Sequence, residues 1–209
     1  MSIPQGGTEA VYHFTATKAL PWIISSGELN LGAGRDYTPT RLLWATTSDK
    51  GEKTASCGVA DEEDEEFKSV NPGILLVRFK LAADDFFEWS EITSRCPGWT
   101  AEHVAELEDR ARDYDDYELG FSHWRWRAAP LPLSRVLQID VRAYEYGQAW
   151  EPLRQPVTVI DDHSSTLIKG VVIGDYVYFA EQFPREGREF TQYKRSWRVP
   201  ACECPRAKL

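Results

Sequence analysis

The chain predicts an α+β fold with few helices and a β-rich C-terminal extension, and three observations carry that expectation. Ile74 to Leu81 is apolar almost throughout, the pattern of a strand inside a sheet rather than at its edge. Helical periodicity is clear over two stretches, 18–26 and 100–114. Beyond residue 144, short runs rich in β-branched and aromatic residues follow one another with turn formers between them. The expected division is a core over 1–143 and a β-rich continuation or small appended sheet over 144–209. At 209 residues a single domain is the default.

The rest of the chain is read around its opening. Ala10 to Phe14 has the content of a short strand, and Thr15 and Thr17 are placed to accept a backbone N–H where a helix begins. In that helix Leu20, Ile23 and Ile24 form one apolar face, Pro21 falls in the first turn, and Gly27 stands where a left-handed cap is wanted. His13 and Thr15 alternate onto the same side of their strand, so an imidazole and a hydroxyl sit together at a strand-to-helix elbow. Alone, a histidine between Tyr12 and Phe14 is more often a satisfied structural residue than a ligand.

Tyr12-His13-Phe14-Thr15, then Leu20, Ile23-Ile24, Gly27 and Leu29, resembles the opening of the ADP-ribosyltransferase superfamily, nearest to its DNA-targeting, toxin-like members. Leu42-Leu43-Trp44-Ala45-Thr46-Thr47-Ser48 is similar to the second family strand, an apolar run ending in small hydroxyl residues. The resemblance implies a split β-sheet core that binds NAD as a substrate. In it His13 would hold the ribose, and backbone groups near Tyr12, Phe14 and Thr15 would hold the nicotinamide amide. Trp44, Thr46 and Thr47 would line the pocket.

Between these motifs, 31–41 is rich in turn formers and reads as a loop over the site. Arg35 and Arg41 in it are candidates to pair with a pyrophosphate, since a guanidinium forks onto phosphate oxygens; a plain surface role is the alternative for each. Thr54 to Cys57 is expected to begin a short helix. Arg78 inside the apolar strand either reaches a flank along its apolar stem, the favoured reading, or is held by a carboxylate.

Thr100 is expected to cap a helix whose stripe is Val104, Leu107 and Ala111, with His103 off the stripe and facing solvent. In His123-Trp124-Arg125-Trp126-Arg127, alternation puts two indoles on one face and the basic groups on the other. Trp124, Arg125 and Arg127 are therefore candidates for a nucleic-acid or substrate contact, with an indole in the core as the alternative. Val136 to Val141 follows as a strand. Beyond it Gly174-Asp175 signals a hairpin, and Tyr193 to Val199 is again basic and aromatic. Asp162-His163-Ser164 holds acid, base and hydroxyl, but adjacent side chains diverge and a triad is assembled in space.

The net charge of −9 disfavours a broad nucleic-acid-binding face without excluding a local basic cleft. Residues 61–66 are all acidic and read as a solvated loop; they lack the spaced ligands and turn glycine of a calcium loop, so no metal site is expected. Cys57, Cys96, Cys202 and Cys204 lack zinc-ligand spacing and are expected as free thiols. With no apolar run near the roughly 20 residues needed to cross a bilayer and no secretory pattern at its start, the chain is expected to be soluble and cytoplasmic.

The chemistry implied by the resemblance is cleavage of the nicotinamide–ribose bond and transfer of ADP-ribose to a macromolecular, possibly nucleic-acid, acceptor. It needs a carboxylate to stabilise an oxocarbenium-like transition state. Glu118, before the Trp124 strand, is the first candidate and Glu189 the second; a surface carboxylate is the alternative for both. Two other functions stay open. One is a non-catalytic nucleotide- or partner-binding module on the same fold; the other is an RNA 2'-phosphotransferase-like enzyme, whose basic constellation this chain lacks.

Overall fold

A computed structural model of the protein describes residues 9–32, 38–50, 74–112, 120–143, 149–154, 157–161, 167–183 and 193–204. The expected helix at Thr54 to Cys57, the acidic run 61–66 and Asp162-His163-Ser164 lie outside the described residues. The chain is α+β, with antiparallel pairing in its sheets and short helices. None of the described helices is long and apolar enough to cross a membrane.

The larger sheet is built from β1 (Ala10–Ala16), β3 (Leu43–Thr46), β4 (Leu75–Ala82), β5 (Phe87–Glu88), β6 (Trp124–Arg127), β8 (Val136–Ala143) and β9 (Glu151–Pro152), in the order β5-β6-β3-β1-β4-β8-β9. The apolar run sits in β4, hydrogen-bonded to β1 on one side and β8 on the other, an interior strand as expected; Val77, Phe79 and Leu81 share one face, and Arg78 and Lys80 fall on the opposite one. A two-stranded pair joins β2 (Glu28–Leu29) to β7 (Leu131–Pro132). The second sheet runs β10 (Thr158–Asp161), β11 (Ile168–Ile173), β12 (Tyr176–Gln182), β13 (Tyr193–Pro200). Its β11–β12 hairpin closes at Gly174-Asp175, where Gly174 takes φ 55° and Ile173 pairs with Tyr176.

Strand alternation divides the larger sheet into two faces with different cores. One face carries Val11, Leu43, Ala45, Val77, Phe79, Leu81 and Val141. These pack with Leu20 of helix α1 (Leu20–Ser26) and with Val171 and Tyr178 of the second sheet, so the C-terminal strands share this core. The other face carries Trp44, Trp124 and Trp126, which pack with Trp89, with Ile92 of α2 (Ile92–Arg95), with Trp99 and with Ala111 of α3 (Ala101–Arg112). Trp44, Trp89, Trp99 and Trp124 meet in tilted or edge-on contacts with centroids 5.3–6.4 Å apart, the geometry the ring quadrupole favours.

Two local expectations, at Thr17 and Arg78, are corrected. Thr17 does not cap α1: its hydroxyl accepts from the Leu75 N–H at 3.1 Å and ties the strand-to-helix elbow to β4, while Ala19 takes the N-cap position without a side-chain bond. His103 lies at the start of α3, where its Nδ1 accepts from the Thr100 N–H at 3.2 Å while its backbone N–H donates to the Thr100 hydroxyl, so the expected Thr100 cap is reciprocal. Arg78 does not follow its stem to a flank. It lies opposite Asp140 in the β4–β8 register, and Nε and Nη2 donate to Asp140 Oδ2 at 2.9 and 2.7 Å. The carboxylate is 1% exposed, so a buried charge takes the partner that the fold places directly across the ladder. Gly27 does cap α1 as its position predicts, at φ 75°, donating to the Ile23 and Ile24 carbonyls.

Candidate functional site

The two motif segments are neighbours in the larger sheet. β1 and β3 are joined by one pair, Tyr12↔Thr46, whereas β1 pairs with β4 along its whole length from Ala10↔Ala82 to Ala16↔Leu76. Beyond Tyr12 the ladder to β3 stops. There the Nδ1–H of His13 donates to the Trp44 carbonyl at 2.7 Å, a side chain bridging strands whose backbones have parted. That bond fixes the neutral tautomer with Nε2 as an acceptor, and Nε2 has no hydrogen-bond partner among the described residues. The ring keeps some exposed surface beside Phe79, 6.2 Å away between centroids, but its surroundings are dense. Burial holds its pKa below the ordinary imidazole value, partly offset by the bond to Trp44.

The remaining motif residues do not all share this face. Thr15 is buried on the His13 side of β1. Tyr12 and Phe14 point to the other side, where the Tyr12 ring lies 5.1 Å from the Arg78 guanidinium and Phe14 packs 5.7 Å from Trp150. Trp44 contributes its carbonyl to the site and its indole to the tryptophan core. Thr46 is fully buried and its hydroxyl accepts from the Ser48 N–H at 3.1 Å, shaping the turn that ends β3. Arg41 is half-buried at the entry to β3. Arg35, Glu118 and Glu189 lie outside the described residues.

β6 flanks β3 on its other side, in the register Leu43↔Arg127 to Thr46↔Trp124. Trp124 is 5% exposed and packed against Phe121, Trp44 and Trp89, so its indole belongs to the core and offers no open face to a base. Arg125 and Arg127 share the His13 face. Arg125 donates to the Ser122 and Trp124 carbonyls, and Arg127 to the Ala129 carbonyl at 2.7 Å. Glu88 pairs with Arg125 in the β5–β6 register, three strands from His13 and so about 14 Å away by strand spacing. No three His, Cys, Asp or Glu side chains converge as metal ligands would among the described residues, and Cys96, Cys202 and Cys204 are free thiols.

Sequence reasoning placed His123 only on a basic face. The structure brings it to the end of β3, where its carbonyl accepts from the Thr47 N–H at 3.0 Å and its Nδ1 lies 2.5 Å from the Thr47 hydroxyl. Nothing local signals that pairing, because the two residues are 76 positions apart. Compared with protein-family models, curated proteins and solved structures, the chain matches none.

Proposed function

We propose that the protein is an NAD-dependent ADP-ribosyltransferase with an ADP-ribosyltransferase-like split sheet, acting in the cytoplasm on a macromolecular acceptor for which nucleic acid is the leading candidate. The observation that carries this reading is the parting of β1 and β3 at Tyr12↔Thr46, with His13 anchored in the gap by the Trp44 carbonyl. A neutral imidazole whose Nε2 accepts suits a ribose hydroxyl. The backbone edges of two strands that have stopped pairing offer the N–H and C=O groups that a carboxamide needs.

In the reaction the bond from ribose C1' to the nicotinamide nitrogen breaks, and its electron pair leaves with nicotinamide. The acceptor's oxygen or nitrogen forms the new bond to C1' and gives up its proton. Positive charge builds on the ribose before the new bond is complete, and a carboxylate lowers that barrier. Glu118 and Glu189 are the proposed carboxylates. A second reading is a module that binds the dinucleotide without consuming it, since an imidazole held by the Trp44 carbonyl can bind a ribose hydroxyl without any bond being broken.

Incubation of the purified protein with NAD, followed by chromatography for free nicotinamide, separates the two. The enzyme releases nicotinamide, and His13→Ala slows release by about a hundredfold. Release that is unaffected by His13→Ala overturns the site. Binding by calorimetry without release supports the module, and no binding at all overturns both. Labelled NAD offered with DNA, RNA or cell protein then identifies the acceptor.

A further inference from the structure

We infer that the sheet edge formed by β13 binds a single-stranded nucleic acid, with Lys194, Arg195 and Arg198 on its phosphates and Trp197 against its bases. The inference rests on the NAD reading only for the role of that strand as the ADP-ribose acceptor; the surface itself is a feature of the second sheet.

β13 ends the order β10-β11-β12-β13, and its outer edge has no partner strand among the described residues. It carries three cations and no carboxylate, in a chain whose net charge is −9. Lys194 to Arg198 cover about 13 Å of extended backbone, so the charges lie along a line, which suits a polyanion better than a single anion.

Exposure separates this stretch from the other basic and aromatic one, in β6. There the Trp124 indole is 5% exposed and the Arg125 side chain 14%, held by carbonyls. On β13 the side chains of Lys194 and Arg195 are 55% and 63% exposed, and Arg198 is exposed as well. Lys194 and Arg195 both reach Glu181, at 3.3 and 2.6 Å, but an exposed ion pair is worth little and yields readily to phosphate.

The rings are built into the same strands. Phe179 and Trp197 are a half-buried cross-strand pair, stacked at 17° with centroids 5.5 Å apart. Gly170, opposite Phe179 on β11, makes room for that ring: a Cβ there would lie 2.8 Å from two of its carbons. The Arg195 guanidinium lies 4.8 Å from the Trp197 centroid, and that of Arg198 4.6 Å from the ring of Tyr176, which is 37% exposed. Charge alone would keep an edge strand from pairing with another chain. Partly exposed rings beside the charges add a stacking surface, which matches bases and has no counterpart in an acidic peptide.

The test is fluorescence anisotropy of a labelled oligo-dT of about 12 nucleotides with the full chain, without NAD, from about 50 to 200 mM salt. Wild type binds it, and binds a duplex of the same length more weakly. Lys194→Gln, Arg195→Gln and Arg198→Gln together make the salt slope shallower by about 2, and Arg198→Gln alone, which leaves the Glu181 pairs intact, by about 0.7. Trp197→Leu weakens binding about tenfold at an unchanged slope, and Trp197→Tyr restores much of it. No binding at the lowest salt, or folded variants that bind like wild type, overturns the inference; variants that bind like wild type but self-associate identify cations that only guard an edge. A duplex bound as tightly, or a poly-glutamate peptide bound as tightly with Trp197→Leu unaffected, gives the surface to another partner and overturns it too. Nicotinamide release from NAD is followed separately. A wild type that releases nicotinamide but binds no strand overturns this inference alone, and one that binds the strand without consuming NAD keeps the surface and overturns its acceptor role.

Discussion

Arg78 and Asp140 face each other across the β4–β8 ladder, 62 residues apart in sequence, and form a buried ion pair in which Nη2 stands 2.7 Å from Oδ2. The Arg78 guanidinium is also stacked over Tyr12 and Trp150, 5.1 and 4.7 Å from their centroids, and Gln138 donates to the other Asp140 oxygen. The pair thus links β1, β4 and β8 on the face that carries Tyr12.

Removing one partner leaves the other charge buried and unpaired. Asp140→Ala is expected to destabilise the protein by about 3–5 kcal/mol, measured by chemical denaturation. Replacing both, as in Arg78→Met with Asp140→Leu, is expected to recover most of that loss. A double variant as unstable as the single one would mean that the pair is worth more than its desolvation.

His13 gives the stability a pH dependence whose sign follows from its environment. Burial lowers the pKa in the folded protein, so on acidification the unfolded chain takes up the proton first. The contribution is therefore present above the ordinary imidazole range, about 6.5. It is lost as pH falls from there toward the lower folded value. Urea midpoints at pH 7.5 and pH 5.5 are expected to differ more for wild type than for His13→Gln, which has no imidazole to protonate. An equal difference in both would place the pH dependence elsewhere.

Trp124 separates a core role from a recognition role. At 5% exposure among Phe121, Trp44 and Trp89, its replacement by alanine is expected to cost about 3–5 kcal/mol in denaturant unfolding. Arg125→Gln, which alters a half-buried side chain held by local carbonyls, is expected to cost far less. A Trp124→Ala variant of unchanged stability would remove the indole from the core.

What the sequence determined by itself is the longer elements and the side on which their residues fall, because both follow from spacing along a short piece of chain; the short strands Phe87–Glu88, Leu131–Pro132 and Glu151–Pro152 carry too few residues to show a period. The period of two in Trp124 to Arg127 put the indoles on one face and the arginines on the other, leaving open whether the indoles were core or contact, and the spacing of Leu20, Ile23 and Ile24 before Gly27 foretold a helix and its left-handed cap. Tertiary structure alone decided which strands pair and where pairing stops, since those choices depend on the packing of segments far apart in the chain. It set Asp140 across from Arg78, drew Thr17 to β4 instead of the helix, closed the β1–β3 ladder after Tyr12 so that His13 reached the Trp44 carbonyl, and carried His123 to Thr47. A pattern of alternation says which face a side chain takes, but contains no term for the distant backbone it will meet there.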